Sequence, residues 1–386
     1  MERSLIGAYG PFALEVLGDG PAELSFRQPR FGDVDAWRVE ARAKAWELVA
    51  QPDTGGAPEV EVVGRATADG VEIERLRWQL PYGPPTEAVL LKPEGAKGPL
   101  PGVLGLHCHG GVKYFGWRKI ADDGGPLHPL MRRHREEYYS GRAWANELAK
   151  RGYVVLCHDT FPFGSRRVLI SEVIDEIRWD GARDVGPEER EEEIAAYNRW
   201  AGEHEHVMAK TLFCAGTTWP AMYLADDQRA MDVLAARPEV DPERLGCGGL
   251  SGGGMRTVYL GGLDERVKCA ICVGLMTTWR DCVLSKSWTH TWMMYTPLLP
   301  RYLDWPEILG LRAPLPTMVL NDEEDSLFTL PEMRRADGIL GEVYEKAGAA
   351  DRYRCSFYPG PHKLDAAMQD EAFAWFDRWL AEDDRT

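Results

Sequence analysis

The pentapeptide Gly249-Leu250-Ser251-Gly252-Gly253 is typical of a catalytic nucleophile. It has the form G-x-S-x-G and lies between a strand-like apolar run (244–251) and the helical pattern GGGMRTVYLGGL. In that context a tight turn lifts the serine hydroxyl above the edge of a sheet. Glycine is needed two residues before and two after, because strand and helix pass too close for side chains. Ser251 is therefore the predicted nucleophile.

A serine hydroxyl is a poor nucleophile unless a base takes its proton and a third group orients that base. On such a sheet the chain order is serine, then an acid, then histidine. His362 lies in the loop after the last strand-like run, YRCSFYPG, and is the only histidine after His290. We expect His362 to be the general base.

The acid should follow the preceding strand-like run, LPTMVLN, where residues 322–325 are all acidic. The chain needs a few residues to turn towards the histidine. Asp325 also precedes Leu327 and Phe328, an apolar pair that can anchor the loop. Asp325 is the predicted acid, with Asp322 and Glu324 as alternatives.

Acyl transfer also needs N–H donors for the negative oxygen of its transition state. One donor is expected to be the backbone N–H of Gly252, directly after the nucleophile. The second should come from the loop His107-Cys108-His109-Gly110-Gly111, which follows the apolar run PGVLGL. Either His109 or Gly110 can supply it.

Two histidine-rich runs resemble metal-ligand patterns. His107 and His109 share one face if the run is a strand. In the run Glu203-His204-Glu205-His206 a helix would point the two histidines about 200° apart. Neither run has a clear third and fourth ligand, so we expect no metal and no cofactor.

The elements that must position these residues follow from hydrophobic patterning. Helical spacing covers about 33–50, and alternating runs between 59 and 95 predict antiparallel strands. From residue 100, apolar runs alternate with helical stretches, which predicts an α/β fold with a mostly parallel sheet and helices on both faces. The strand-like runs are 101–109, 152–159, 244–251, 267–274, 315–321 and 353–360. We expect an N-terminal helical extension (1–60) and one catalytic domain (61–386).

Two segments interrupt that alternation, a charged one at about 163–216 and an aromatic one at about 275–312. Both follow strand ends, at the sheet edge where ligands of α/β proteins bind. They are predicted to be insertions that form a cap or pocket wall. Candidate substrate-binding residues in the second segment are Trp279, Trp288, Trp292, Tyr295 and Trp305, although core packing explains them equally well.

Composition excludes some partners. Forty-five basic and 61 acidic residues give a net charge of −16, which argues against nucleic acid or an anionic membrane as partner. The sequence has no apolar run of about 20 residues and no signal-peptide core at its N-terminus. A cytoplasmic location is predicted, and a homo-oligomer is left open. Because Cys269 and Cys272 lie three residues apart in a strand-like run, we expect them to be buried on opposite faces of a strand.

Together, HCHGG, HDTFPFGSR, RPEVDPERLGCGGLSGGG, DSLF and YPGPHK resemble the α/β-hydrolase superfamily, in particular its dienelactone hydrolase and acetyl xylan esterase-like branch. The resemblance covers about residues 85–382. It implies a carboxylic ester hydrolase that uses Ser251, Asp325 and His362. Dienelactone hydrolases use a cysteine nucleophile and the deacetylases a glutamine after the serine, whereas this chain has Ser251 and Gly252. Neither named activity is therefore carried over.

The expected function is hydrolysis of a small-molecule ester through an acyl-enzyme intermediate. Two alternatives stay open: an amidase or peptidase using the same site, and a hydrolase scaffold that binds a ligand without catalysis.

Overall fold

The computed structural model describes residues 4–381 of the chain. Its nine strands are β1 (Val60–Ala68), β2 (Val71–Trp78), β3 (Thr86–Pro93), β4 (Leu100–Gly105), β5 (Val154–His158), β6 (Val240–Leu250), β7 (Val267–Val273), β8 (Thr317–Asp322) and β9 (Tyr353–Tyr358). They form one sheet in the order β1-β2-β3-β5-β4-β6-β7-β8-β9. The pairs β1–β2, β2–β3 and β3–β5 are antiparallel, and the other five are parallel. The predicted mostly parallel sheet with antiparallel strands before it is confirmed.

Burial along the strands explains the two kinds of sequence pattern. β5, β7 and β8 are buried almost throughout, because helices cover both faces of the parallel part of the sheet. The edge strand β1 is mostly exposed, and its sequence VEVVGRATA mixes polar and apolar residues accordingly.

The helices are α1 (Gly10–Leu17), α2 (Val34–Val49), α3 (Pro129–Tyr139), α4 (Trp144–Lys150), α5 (Glu191–Glu203), α6 (Glu205–Cys214), α7 (Trp219–Ala235), α8 (Gly252–Leu263), α9 (Trp279–Asp281), α10 (Trp305–Gly310), α11 (Leu330–Lys346) and α12 (Ala366–Phe376). One core cluster packs α2, α7, α8, α10 and α11 against one face of the sheet, and another packs α4 and α12 against the opposite face. Cys272 belongs to the first cluster and Cys269 to the second. The two cysteines therefore lie on opposite faces of β7, as the strand pattern predicts.

The segment before β1 packs into the main core. α2 begins after Asp33, whose side chain accepts a hydrogen bond from the N–H of Ala36 (2.7 Å). The helix buries Trp37, whose indole N–H donates to the carbonyl of Leu24 (2.6 Å). The predicted helix at about 33–50 is thus present, and it helps to cover the sheet.

The charged segment (163–216) leaves the sheet after β5, and the aromatic segment (275–312) leaves it after β7. The charged segment contains short 3-10 turns followed by α5 and α6. A third core cluster, which includes Tyr114, Ile194 and Trp200, joins it to the loop after β4. Both segments thus start at the carboxyl edge of the sheet, beside Ser251. A search of the described helices for one long and apolar enough to span a bilayer finds none.

Candidate active site

Ser251 stands on the turn between β6 and α8. Its backbone has φ 58° and ψ −116°, a conformation that residues other than glycine rarely adopt. Its N–H donates to the carbonyl of Val273 (2.8 Å), and its own carbonyl accepts from the N–H of Met255 (2.8 Å). The strained turn is therefore held by β7 on one side and by α8 on the other.

The glycines that flank the serine are needed for steric reasons. A Cβ atom placed on Gly249 or on Gly253 would lie 2.1 Å from the carbonyl oxygen of Leu106, just after β4. No side chain fits at that distance. This is the close passage of strand and helix that the G-x-S-x-G pattern predicts.

His362 lies in the loop between β9 and α12, and its ring packs beside Gly274 at the end of β7. Its Nδ1 is 2.6 Å from Oδ2 of Asp325, in the loop after β8. The other oxygen of Asp325 accepts the N–H of Leu327 (2.9 Å). The Asp325 side chain is 1% exposed, so its carboxyl group is shielded from water and faces the imidazole. The predicted acid and base are in direct contact.

The other carboxylates of residues 322–325 make different contacts. Asp322 accepts the backbone N–H of Lys363 (3.0 Å), and its Oδ1 is buried without a partner. Burial raises the pKa of Asp322 to about 7. Glu323 pairs with Arg334 (2.9 Å), and Glu324 is exposed. Among these four residues it is Asp325 that is bonded to His362.

Ser251 and His362 line one cavity of about 380 Å³. Its remaining wall is partly apolar and partly polar, formed by Leu250, Gly252, Met255, Leu275, Leu327, Tyr138, Gly202, Glu205, Thr289, His290, Thr291 and residues 108–111. The side chains of Ser251 and His362 are not hydrogen-bonded to each other. In enzymes without substrate this bond is often long, and it shortens in the complex.

The loop after β4 crosses the start of α8. A Cβ atom on Gly252 would lie 2.7 Å from the backbone nitrogen of His109. The N–H of Gly252 is in the first turn of α8, where no carbonyl of the helix can accept it. The backbone nitrogen of His109 therefore lies close to Gly252, and Gly110 follows at φ 55°.

A buried cluster holds His109 by its side chain. Its Nδ1 accepts the N–H of Gly111 (3.0 Å), so Nε2 carries the proton and donates to Oε1 of Glu205 (2.8 Å). The ammonium of Lys113 also contacts Oε1 of Glu205. The other oxygen, Oε2, accepts the hydroxyl of Thr291 (2.6 Å) and the N–H of Trp292 (3.1 Å). Glu205 therefore joins the loop after β4 to both the charged and the aromatic segment.

Burial and charge fix the protonation states of this cluster. Burial lowers the pKa of His109 to about 4, and the charge of Lys113 acts in the same direction. Burial alone would raise the pKa of Glu205, but the hydrogen bond from His109 and the charge of Lys113 outweigh it and hold this pKa far below its usual range. At neutral pH His109 is a neutral donor and Glu205 an anion.

This role of Glu205 cannot be predicted from the sequence. The run Glu203-His204-Glu205-His206 shows only a metal-like pattern, and no local signal connects it to His109, 96 residues earlier. In the structure His204 stacks on Trp200 (ring centroids 4.6 Å apart) instead of facing a ligand site.

We compared the chain with known proteins. No family model matches it. The Bacillus subtilis (strain 168) protein described as "Putative hydrolase YtaP" is 26% identical over 346 residues, which cover 89% of this chain and 100% of that protein. Two solved structures superimpose over most of the chain. A "putative acetyl xylan esterase" from Bacteroides fragilis has a TM-score of 0.65 at 15% identity, covering 92% of this chain and 83% of that one. A glucuronoyl esterase from Solibacter usitatus has a TM-score of 0.63 at 17% identity, covering 93% and 97%.

The chain has the α/β-hydrolase fold. The resemblance seen in the sequence is thereby confirmed at the level of the fold. Within the α/β-hydrolase sheet, Ser251, Asp325 and His362 follow β6, β8 and β9, in the expected chain order.

The aromatic residues expected to line the site lie elsewhere in the fold. Trp279 is 4% exposed, packs edge-on against Trp305 and donates to the carbonyl of Leu303 (3.1 Å), so it belongs to the core. Trp288 is 75% exposed, and Trp292 is 39% exposed. Trp279 and Tyr295 border a separate apolar groove beside α1. None of the five lines the Ser251 cavity; the aromatic segment instead contributes Thr289, His290 and Thr291.

One group of potential metal ligands lies in the site. Donor atoms of Asp322, Asp325 and His362 lie within 4.8 Å of one another. The hydrogen bond between Asp325 and His362 accounts for two of these three groups, as expected of an acid–base pair. His107 points elsewhere, with its Nδ1 3.1 Å from the carbonyl of Cys108.

Proposed function

We propose that this protein is a serine ester hydrolase with Ser251 as nucleophile, His362 as general base and Asp325 as the residue that orients and stabilises His362. The observation that carries the proposal is the 2.6 Å contact between Asp325 and His362, beside a serine on a strained turn in the same cavity. A histidine held by a buried carboxylate and a serine at a helix start are the parts that acyl transfer requires.

The reaction starts when Nε2 of His362 takes the proton of Ser251 Oγ as this oxygen attacks the ester carbonyl. Asp325 accepts from Nδ1, which leaves Nε2 free to act as the base and stabilises the imidazolium that forms. The C–O bond to the alcohol then breaks, and His362 returns the proton to the departing oxygen. Water, deprotonated by the same histidine, attacks the acyl-enzyme. The bond between the acyl carbon and Ser251 Oγ breaks, and His362 returns the proton to Oγ as the acid leaves.

The N–H groups of Gly252 and His109 bind the negative oxygen of the tetrahedral intermediate. Their support is the closeness of the His109 nitrogen to Gly252 and the free first turn of α8. Gly110 remains the alternative second donor. Fixed donors of this kind are each worth about 10²–10³ in rate.

The charged and aromatic segments act as the cap of the site in this proposal. Gly202 and Glu205 come from the first and residues 289–291 from the second, and all border the cavity. Glu205 binds the two segments to each other and to His109.

The substrate is a compact ester. A cavity of about 380 Å³ is at the small end of the range for small-molecule sites, roughly 300–1,000 Å³. Polar groups at Tyr138, Thr289 and His290 suit an ester that carries hydroxyl groups. The similar structures named as acetyl xylan and glucuronoyl esterases support an ester of a carbohydrate as the class to test first.

The first test is labelling with a fluorophosphonate probe, together with hydrolysis of p-nitrophenyl acetate, by the wild type and Ser251→Ala. We expect labelling to be lost and kcat to fall at least about 10³-fold in the variant. Ser326→Ala is the control, since Ser326 is exposed and lies outside the cavity. Ser326→Ala should keep both the labelling and the ester turnover.

Near-normal turnover in Ser251→Ala would refute the assignment. Absence of labelling and turnover in folded wild type would favour the non-catalytic scaffold. Adding p-nitroacetanilide distinguishes ester from amide cleavage, because a peptidase-like enzyme would hydrolyse the anilide at a comparable rate.

A further inference from the structure

Lys119 is completely buried next to the loop that follows β4. Its Nζ donates to the carbonyl oxygens of Cys108 and His109, both at 2.9 Å, and lies 4.6 Å from the ring centre of Phe163. These two carbonyls belong to consecutive peptide groups of the proposed oxyanion loop.

Burying a lysine at this position costs folding free energy. An ammonium group loses its hydration on burial, and the usual compensation is a carboxylate partner. Here the partners are carbonyl oxygens and an aromatic ring. Burial correspondingly lowers the pKa of Lys119 to about 7. The fold keeps a polar amine where an apolar side chain would be less costly to bury, which suggests that its two hydrogen bonds have a function.

The geometry of the peptide group indicates what these two hydrogen bonds do. In a trans peptide the C=O and the following N–H point in opposite directions. The carbonyl of Cys108 shares its peptide group with the N–H of His109, and the carbonyl of His109 shares its group with the N–H of Gly110. Because Lys119 holds both carbonyls on its own side, both N–H groups point away from it. The nitrogen of His109 is the one that lies against Gly252.

The turn that carries Lys119 is itself fixed. The guanidinium of Arg135 donates to the carbonyls of Arg118 (2.8 Å), Lys119 (3.3 Å) and Ala121 (2.7 Å). The carboxylate of Asp159 accepts the N–H of Trp117 (2.9 Å). The ammonium is therefore presented to the loop from a rigid support.

We propose that Lys119 is a positioning residue of the oxyanion hole, which aims the N–H groups of His109 and Gly110 at the reacting carbonyl by holding the carbonyls of Cys108 and His109. It does not touch the substrate. The inference rests on the proposed ester hydrolase function and adds to it the residue that preorganises one side of the hole.

The test is Lys119→Met, measured for kcat and KM with p-nitrophenyl acetate and for inhibition by a small alkylboronic acid. A boronic acid adds to the serine as a tetrahedral anion and so reports on transition-state binding. We expect kcat to fall about 10- to 100-fold, less than the ~10²–10³ for outright loss of a donor. Boronate affinity should fall by a similar factor, with KM within about threefold of wild type.

Lys346→Met is the control for the loss of a lysine–carbonyl contact, at a lysine that is exposed. Lys346 also donates to two main-chain carbonyls, of Phe26 (2.6 Å) and Gln28 (3.0 Å), and lies over the ring of Phe26 (4.7 Å). Those carbonyls belong to the N-terminal segment. Removing this lysine should change stability and leave kcat and boronate affinity unchanged.

The inference is overturned if folded Lys119→Met keeps wild-type kcat and boronate affinity, or if its losses match those of Lys346→Met. If Lys119→Met does not fold, Lys119→Gln takes its place, since its neutral amide is one atom too short to reach both carbonyls; the same criteria apply. A wild type without any ester turnover would instead refute the proposed function, which separates the two failures.

Discussion

Two groups of residues at the Ser251 cavity, some lining it and some lying behind the lining, are held in place in different ways. One, here called the strand-end wall, consists of Ser251, Asp325 and His362, each in the loop after a strand of the same sheet. The other, the loop wall, consists of residues 107–119 together with Glu205. On the strand-end wall the sheet itself brings the residues together. On the loop wall buried charges do so.

This difference separates the proposed catalytic groups from the groups proposed to support them. The strand-end wall can be predicted because each residue sits in a recognisable local context, and parallel strands end at one edge. The loop wall depends on contacts such as His109 with Glu205, across 96 residues, for which the sequence offers no local signal. We therefore expect substitutions in the strand-end wall to abolish ester hydrolysis, and substitutions in the loop wall to lower kcat by smaller factors.

The largest effect is expected from Asp325→Asn. An asparagine in this place cannot act as a charged acceptor for Nδ1–H, so His362 loses its orientation, its correct tautomer and the stabilisation of its charged form. We expect kcat for p-nitrophenyl acetate to fall by about 10³- to 10⁴-fold with little change in KM.

Glu324→Gln is the control for that change, because Glu324 is the exposed neighbour of Asp325. It should retain wild-type kcat. A small loss in Asp325→Asn together with a large one in Asp322→Asn would move the role of the acid to Asp322, the main alternative from the sequence.

A smaller effect on rate is expected from Glu205→Gln. The amide cannot accept all four hydrogen bonds and leaves the Lys113 ammonium buried without a counter-charge. Breaking a buried pair in this way costs about 3–5 kcal/mol of folding free energy. Since His109 loses a support, kcat should fall about tenfold, far less than for Asp325→Asn. Urea unfolding and steady-state kinetics measure the two effects.

The exposed Glu203 supplies the control, and Glu203→Gln should change neither quantity. Adding Lys113→Met to Glu205→Gln removes the unpaired ammonium and should restore part of the lost stability without restoring kcat. Wild-type kcat in folded Glu205→Gln would mean that the loop wall is structural support with no catalytic consequence.

Much of the fold could be predicted from the sequence because the patterns are long and regular. The strand-like runs from 101 to 360 correspond to β4–β9, and the spacing over 33–50 corresponds to α2. α3 was not predicted. Its sequence, PLMRRHREEYY, is dominated by charged and polar residues, yet it buries Met131, His134, Arg135 and Tyr139 through tertiary contacts that a periodicity argument does not include.

The candidate site also has residues that could be predicted from the sequence and residues that could not. Ser251, Asp325 and His362 each follow a strand. Their catalytic roles stay a prediction. The aromatic residues of 275–312 could not be assigned, because a tryptophan that packs in a core and one that lines a pocket look alike in sequence. Trp279 is core and Trp288 is exposed. Lys119 gave no signal at all, since a lysine in a loop is usually solvated.

The smallest effect is expected at Asp322, next to the strand-end wall, and it concerns the pH dependence of stability. Burial raises the pKa of Asp322 to about 7 from an ordinary value of 3.8, so the folded protein keeps this proton to a higher pH than the unfolded chain. The free energy of folding that protonated Asp322 contributes is therefore fully present below about pH 4 and is lost as pH rises to about 7.

Asp322→Asn cannot ionise and keeps an oxygen that can accept the N–H of Lys363. Urea unfolding at pH 4.5 and pH 8 measures this effect. Between these two pH values the stability of the variant relative to the wild type should rise by roughly 2 kcal/mol, the order of magnitude expected when each pKa unit is worth ~1.4 kcal/mol. A stability difference between the two proteins that stays constant from pH 4.5 to pH 8 would contradict a titration of Asp322 in this range.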